Sequence, residues 1–258
     1  MSHHPHHLIA NILHLLAGGG LGLLAASLCL TFGMRSADRM PGESRFPHCA
    51  WCFRPLTGQE ALPLIGWLLR PGTFSFPCPC GLRKKLWQQP VAELMGFLLG
   101  ILAMYLQDWS LTAVPLCLVM GLLPALALVD LHYGIIPDGH NLLLGILGII
   151  FLELSGADLY LGVAVAGALL GLGLFLALVY SKWRGIEMLG LGDVKFFAAA
   201  GFWLHPHSAP WFLGLGGLIG VLFSLLHRSK DGSKQFPFAP ALCAALVFII
   251  LYQIIDAP

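Results

Sequence analysis

The sequence predicts an all-α polytopic membrane protein with about eight transmembrane helices and one cytoplasmic, cysteine-containing loop domain. Three observations support this fold class. Hydrophobic residues make up 57% of the chain and charged residues only 10%, whereas soluble domains carry about 25% charged residues. The mean hydropathy is +0.81. The apolar residues also gather in runs close to the roughly 20 residues that a helix needs to cross a bilayer.

We predict eight membrane spans and divide the chain into three parts. Residues 1–33 contain the first span. A secretory signal would have Lys or Arg before its apolar run, and none precedes the run here, so we expect the segment to be retained. Glycines at 18–20 and 22 predict close helix packing there. Residues 34–90 form the loop domain, and residues 91–258 form a transmembrane core. The predicted spans are residues 8–33, 91–107, 111–129, 140–155, 158–180, 193–205, 209–227 and 239–256.

The basic residues predict the orientation of these spans. Eight of the 14 Lys and Arg residues lie between Arg35 and Lys85. The other six are Lys182, Arg184, Lys195, Arg228, Lys230 and Lys234. With eight spans and the N-terminus outside, all of them fall on the cytoplasmic side, as the positive-inside rule requires. The net charge of +1 argues against a nucleic-acid partner. The apolar spans imply that membrane lipids surround the protein.

The loop domain contains two close pairs of cysteines. They are Cys49, Cys52, Cys78 and Cys80. Four thiolates from two such pairs suit tetrahedral Zn²⁺, although the second pair is CxC rather than the usual CxxC. Zinc would supply folding energy to a loop that has little core of its own. Disulfides are rare on the cytoplasmic side, so the alternative is four reduced, unliganded thiols. The three cysteines in apolar spans are predicted to be packing residues.

The stretch from Glu187 to Lys195 carries the strongest functional signal. It places three ionisable side chains within nine residues at the edge of a span. Because a carboxylate there is costly to bury, Asp193 is a functional-site candidate. Gly190 and Gly192 permit close backbone approach or a turn. The alternative is a polar loop between helices that ends in a glycine cap.

A second carboxylate, Asp130, ends span three on the same predicted side as Asp193. Two aspartates at short distance share one proton. The ionised one can take a proton from water while the protonated one polarises a carbonyl, which is aspartic-protease chemistry. The chain contains neither a GxSxG elbow nor an HExxH helix. His132 and His140, which flank the first motif, are predicted to be solvated loop residues.

Several polar residues near the two aspartates are candidates for supporting roles. Asp138 is predicted to be the N-cap of the span at residue 140, with a third acid as the alternative and Asn141 as another possible cap. Glu187 either tunes the site or holds a substrate amine, with a solvated interfacial carboxylate as the alternative. Lys195, two residues after Asp193, cannot face it squarely on a helix, so we expect it to snorkel to the interface or to hold a backbone carbonyl of the substrate.

Together these residues resemble the type IV prepilin peptidase family. The shared pattern comprises Asp130, Pro137, Asp138, Asn141, Glu187, Gly190, Gly192, Asp193 and Lys195. It also includes the four-Cys loop after span one, and Pro90 with Glu93 at the start of span two. The segment Pro-Phe-Ala-Pro at 237–240 looks like the PFGP of the family, with Ala239 in place of Gly.

The resemblance implies a GxGD aspartic protease of the bacterial inner membrane that removes the short basic leader of prepilins or pseudopilins. Asp130 and Asp193 would form its catalytic dyad. Many members also methylate the new N-terminal residue with S-adenosylmethionine, an activity associated with the Cys loop. The CxC pair and residues 82–89 depart from the usual family pattern. These departures bear on zinc binding and methylation and do not affect the dyad.

Two other classes of function fit parts of the sequence. A transporter uses acidic residues in its spans as proton relays, but here both aspartates are predicted at one membrane face rather than at the midplane. A non-catalytic scaffold of a pilus or type II secretion assembly would use the loop for docking. The presence of both aspartates favours the enzyme.

Overall fold

The structure is a computed structural model, and its fold is entirely helical over the residues it describes. The described residues are 4–37, 88–108, 110–185, 189–226 and 237–256. Their helices are α1 (His4–Ala37), α2 (Gln88–Gln107), α3 (Ala113–Tyr133), α4 (Asp138–Ser155), α5 (Leu159–Leu174), α6 (Ser181–Arg184), α7 (Leu191–Gly201), α8 (Ala209–Leu226) and α9 (Ala239–Ile255). A π-helical segment, Phe175–Tyr180, joins α5 to α6.

Apolar helices of membrane-spanning length confirm the predicted fold class. Among the described residues, five helical segments are long and apolar enough to cross a bilayer, namely α1 to α4 and α5 with its π-helical continuation. Two further apolar segments, Ala209–Leu225 and Ala239–Ile255, are slightly shorter. Each of the eight predicted spans therefore corresponds to a helix, with ends that differ by a few residues.

The sixth predicted span, residues 193–205, is not a single helix of spanning length. Helix α7 has 11 residues, so it is about 16 Å long at roughly 1.5 Å per residue, about half the thickness of the hydrocarbon core. The helix ends at Gly201, and Trp203 turns back so that its backbone N–H donates to Ala200 at 2.9 Å. Its indole N–H donates to the Leu144 carbonyl of α4 at 3.0 Å, which anchors this turn.

Helix α3 lies at the centre of the molecule. It contacts α1, α2, α4 and α9, and most of its residues from Ala113 to Asp130 are buried. A helix that is apolar all round is expected in such a position. Its last turn, which carries Asp130, is therefore enclosed by neighbouring helices.

Glycines bring α1, α2 and α3 into direct backbone contact. A Cβ atom on Gly22 of α1 would meet the carbonyl oxygen of Gly96 in α2, and one on Gly121 of α3 would meet the carbonyl oxygen of Gly22. Small residues allow this approach in membrane helices. The close packing predicted for Gly22 is confirmed, whereas Gly20 faces open space.

The second half of the chain packs as two smaller units beside this centre. Helix α7 lies against α4 and α5, while α8 lies against α9, and α9 in turn packs on α3. Through these contacts the C-terminal end of α3 and the N-terminal ends of α4, α7 and α9 gather at one end of the molecule.

Candidate active site

Asp130 occupies the last turn of α3, where it is held by the start of α9. Its residue is only 5% exposed. The backbone N–H of Ala239, the first residue of α9, donates to Asp130 Oδ2 at 2.9 Å. Amide groups in the first turn of a helix have no partner within the helix, so the carboxylate and the helix end satisfy each other. Helix α3 ends three residues later at Tyr133, and the following Gly134 has a φ of 64°, in the left-handed region.

Asp193 lies in the first turn of α7. Gly190 precedes the helix with an extended backbone (φ −69°, ψ 146°). A Cβ atom at Gly190 would be 3.3 Å from Asp193 Oδ2, and one at Gly192 would be 3.3 Å from the Ile136 Cβ. The two glycines thus leave room for the carboxylate on one side and for the α3–α4 connection on the other. Their predicted role in close backbone approach agrees with these contacts.

The structure brings together the two aspartates that the sequence singles out. The carboxyl groups of Asp130, at the end of α3, and Asp193, at the start of α7, lie close enough for the charge of one to influence the other. Both also act on the thiol of Cys243 in α9. Two carboxylic acids in such a site share a single proton, so one can act as a base while the other donates a hydrogen bond.

Lys195 and Asp138 form an ion pair at the exposed edge of the site. The Lys195 Nζ atom is 2.6 Å from Asp138 Oδ1, and the side chains are 51% and 74% exposed. Lys195 reaches the surface, as expected for a snorkelling residue, but its partner is a carboxylate of α4. The predicted N-cap role of Asp138 is wrong, because the N-cap position is Pro137 and no side chain caps the helix.

His140 is buried rather than solvated, so that prediction is also wrong. Its Nε2 atom donates to the Cys29 carbonyl of α1 at 2.8 Å. Because α4 begins at Asp138, His140 falls in the first helical turn, on the same face as the buried residues Leu144 and Leu147. This spacing of four and three residues is the sequence signal that would have identified it.

Asn141 has a contact that the predicted capping role does not include. The residue is only 5% exposed, and its Nδ2 atom donates to the Gly192 carbonyl at 3.2 Å. Its Oδ1 atom is buried and has no hydrogen-bond partner among the described residues. The hydrogen bond from Ala239 to Asp130 was not predicted, because Ala239 acts through its backbone N–H and its side chain carries no chemical signal.

Two sets of predicted residues lie outside the described part of the chain. These are Glu187 and the zinc-ligand candidates Cys49, Cys52, Cys78 and Cys80. Within the described ranges, no group of three or more His, Cys, Asp or Glu side chains is arranged to hold a metal. The remaining cysteines, Cys29, Cys117 and Cys243, are buried, as predicted for packing residues.

Comparison with known proteins agrees with the family resemblance. The profile of the type IV leader peptidase family matches residues 117–225, a range that contains both aspartates. The prepilin leader peptidase/N-methyltransferase of Aeromonas salmonicida (strain A449) is 34% identical over 207 residues, which cover 76% of this chain and 68% of the relative. The type 4 prepilin-like proteins leader peptide-processing enzyme of Escherichia coli O78:H11 (strain H10407 / ETEC) is 30% identical over 213 residues, 80% of this chain and 75% of the relative.

For one relative the similarity extends over nearly the full length of both chains. The prepilin leader peptidase/N-methyltransferase of Bacillus subtilis (strain 168) is 29% identical over 238 residues, which cover 90% of this chain and 91% of the relative. No solved structure matches the chain. On the strength of the sequence profile and of relatives that are covered over more than two thirds of their length, the chain belongs to the type IV leader peptidase family.

Proposed function

We propose that this protein is a membrane aspartic endopeptidase that removes the N-terminal leader of type IV prepilins or pseudopilins. The observation that supports the proposal is the proximity of Asp130 and Asp193, close enough for their charges to interact, at one end of a membrane-spanning helical bundle. The substrate class is supported by the names of the relatives, which are leader-processing enzymes. The same names favour an enzyme over the transporter and scaffold alternatives.

In the proposed reaction the two carboxyl groups activate a water molecule. The ionised carboxylate takes a proton from the water as its oxygen attacks the scissile carbonyl carbon, while the protonated one donates a hydrogen bond to the carbonyl oxygen. The tetrahedral intermediate then breaks its C–N bond, and the leaving amine takes up a proton. The hydrogen bond from Ala239 to Asp130 Oδ2 would keep that carboxylate oriented during these steps.

The proposed location is the bacterial inner membrane, with the site and the loop domain facing the cytoplasm. The distribution of Lys and Arg supports this orientation. Lys195 lies two residues after Asp193, and the basic residues Lys182 and Arg184 precede α7. A leader held in the cytoplasm would then meet the two aspartates where its hydrophobic helix enters the membrane.

We also propose a structural zinc ion and a second activity for the loop domain. Four thiolates, from Cys49, Cys52, Cys78 and Cys80, form a donor set that fits tetrahedral Zn²⁺. The second activity is methylation of the new N-terminal residue with S-adenosylmethionine. It is supported by the name N-methyltransferase that two of the relatives carry.

The proposal is tested with purified protein in detergent and a prepilin substrate. Wild type is compared with Asp130→Asn and Asp193→Asn, and the product N-terminus is identified by mass spectrometry. Because each variant loses an acid–base group, we expect cleavage to fall by at least about 10²- to 10⁴-fold. A product heavier by one CH₂ unit, formed only when S-adenosylmethionine is supplied, reports methylation.

Asp256→Asn is the matched control, because this aspartate is exposed at the end of α9. We expect it to cleave at the wild-type rate. All variants are checked for folding by thermal unfolding in the same detergent. If Asp130→Asn or Asp193→Asn cleaves at nearly the wild-type rate, the aspartyl mechanism at these positions is refuted.

A further inference from the structure

We propose that Asn141 is a positioning residue that holds the helix carrying Asp193 in register with the helix end carrying Asp130. This inference rests on the proposed function, because it assigns Asn141 a role in aligning the two carboxyl groups. The Asn141 side chain acts through the backbone of Gly192, to which it donates a hydrogen bond, rather than through either aspartate.

The first step is the position of Asn141 between the two aspartates. It lies in the first turn of α4, which follows the end of α3 after a short connection. Its Nδ2 atom reaches the Gly192 carbonyl at 3.2 Å, and Asp193 is the next residue along the chain. Ile136, in the connection itself, packs against the same glycine. The segment between Asp130 and Asn141 therefore contacts the start of α7 at two points.

The second step is that the hydrogen bond is not needed to satisfy the backbone. Gly192 lies inside α7 (Leu191–Gly201), where the carbonyl oxygen of each residue accepts from the N–H four residues later. The amide of Asn141 is therefore a second donor to an oxygen that the helix already uses. Its removal would leave no buried backbone group without a partner.

The third step is the cost of keeping this side chain. Asn141 is almost completely buried, and its Oδ1 atom has no partner among the described residues. A buried polar atom without a hydrogen bond lowers stability. Reversing the amide would not help, because it would place Oδ1 against the Gly192 carbonyl. We therefore expect an apolar side chain of the same shape to fold at least as well, and we assign Asn at this position a role in function.

The first experiment replaces Asn141 with leucine, which has a similar shape and no polar atoms. We expect Asn141→Leu to unfold at the same temperature as wild type or higher, because the unpaired oxygen is gone. We expect kcat for leader cleavage to fall about 10- to 100-fold with KM nearly unchanged, since misplacement of a catalytic group by about 1 Å costs about 10²-fold. The matched control is Leu142→Ala, a change at the exposed neighbouring residue of α4.

A second variant, Asn141→Asp, provides a readout that a purely structural role would not affect. When the new carboxyl group is protonated, its O–H can donate to the Gly192 carbonyl as the amide did. When it is ionised, it repels that oxygen and adds a negative charge beside Asp193. The cleavage rate relative to wild type should therefore rise as the pH is lowered.

The ionisable groups of wild type do not explain such a pH-dependent change in the ratio of the Asn141→Asp cleavage rate to the wild-type rate. Among the described residues, those at the ends of the helices that meet here are Asp138 and His140 on α4, Asp193 and Lys195 on α7, and Asp130 and His132 on α3. All of them are present in both proteins, so their own titration largely cancels in the ratio of the two rates.

Four outcomes separate this inference from the proposed function. Loss of kcat in Asn141→Leu at unchanged stability, with acid rescue of Asn141→Asp, supports the inference. Wild-type kcat in Asn141→Leu overturns it, and so does a loss of activity that only follows a loss of stability. If Asp130→Asn or Asp193→Asn still cleaves, the proposed function itself fails, whatever the Asn141 variants do.

Discussion

At the scale of single residues, the exposed ion pair between Lys195 and Asp138 offers a direct test of what a charge beside the site contributes. Exposed ion pairs stabilise proteins by about 0–1 kcal/mol. We expect Lys195→Gln, Asp138→Asn and the double variant each to change the free energy of unfolding by less than about 1 kcal/mol. A double-mutant cycle from chemical unfolding in detergent measures the coupling between the two side chains.

The same variants should affect substrate binding more than chemistry. Both side chains lie at the surface, where they can meet a substrate chain, and they hydrogen-bond to each other. We therefore expect KM to rise while kcat changes little. A fall in kcat as large as that of Asp193→Asn would mean that one of the two takes part in the chemical step.

Residue types were enough to find the two aspartates, but not to assign their neighbours. Asp130 and Asp193 stand out because carboxylates are rare and costly in apolar segments. Asp138 and His140 were misassigned because the prediction started α4 at residue 140 rather than at Asp138. Because the helix begins two residues earlier, Asp138 lies inside its first turn instead of capping it, and His140 lies in the helix rather than in a loop.

At the scale of helices, the glycine contact between α1 and α2 gives a matched pair of variants. Gly22→Ala places a methyl group against the Gly96 backbone, which cannot move aside like a side chain. Forced overpacking typically costs about 1–3 kcal/mol. Gly20→Ala, two residues earlier in the same helix, meets nothing within 4 Å.

We expect the thermal unfolding midpoint of Gly22→Ala in detergent to fall by several degrees, whereas Gly20→Ala should differ from wild type by no more than about 0.5 kcal/mol in stability. Equal effects of the two substitutions would contradict the contact between α1 and α2 at Gly22. Cleavage should fall only in proportion to the fraction of unfolded protein, since both glycines lie away from the aspartates in α3 and α7.

Helix number was predictable because it depends on local composition, whereas helix length was not. Apolar runs bounded by polar or glycine-rich segments located a helix at every predicted span. The end of α7 at Gly201 depends on Trp203, whose indole bonds to the Leu144 carbonyl of another helix. A partner so far away in the chain leaves no trace in the local sequence.

At the scale of the whole molecule, the proposed division of labour between loop domain and core can be tested through its metal. We expect wild type to contain bound zinc by elemental analysis, and Cys49→Ser with Cys52→Ser to lack it, because two of four thiolate ligands are lost. The variant loop should also be cut faster by an added protease, since the metal supplies its folding energy.

The same double variant should lose methylation more than cleavage, because both aspartates belong to residues 91–258 and the cysteines to residues 34–90. Mass spectrometry of the product N-terminus measures both activities in one spectrum. If cleavage is lost as completely as in Asp193→Asn, the loop domain is required for the protease itself and the proposed division of labour is refuted.

The sequence by itself determined the membrane class, the helices and the two aspartates, because hydropathy, charge and glycine content are properties of short segments. Only the tertiary structure decided which atoms meet: the Ala239 N–H on Asp130, Lys195 on Asp138, His140 on the Cys29 carbonyl and Asn141 on Gly192. Each of these contacts joins residues on different helices, so it depends on how the helices pack and rotate against one another. That geometry is a property of the whole bundle, which no single segment encodes.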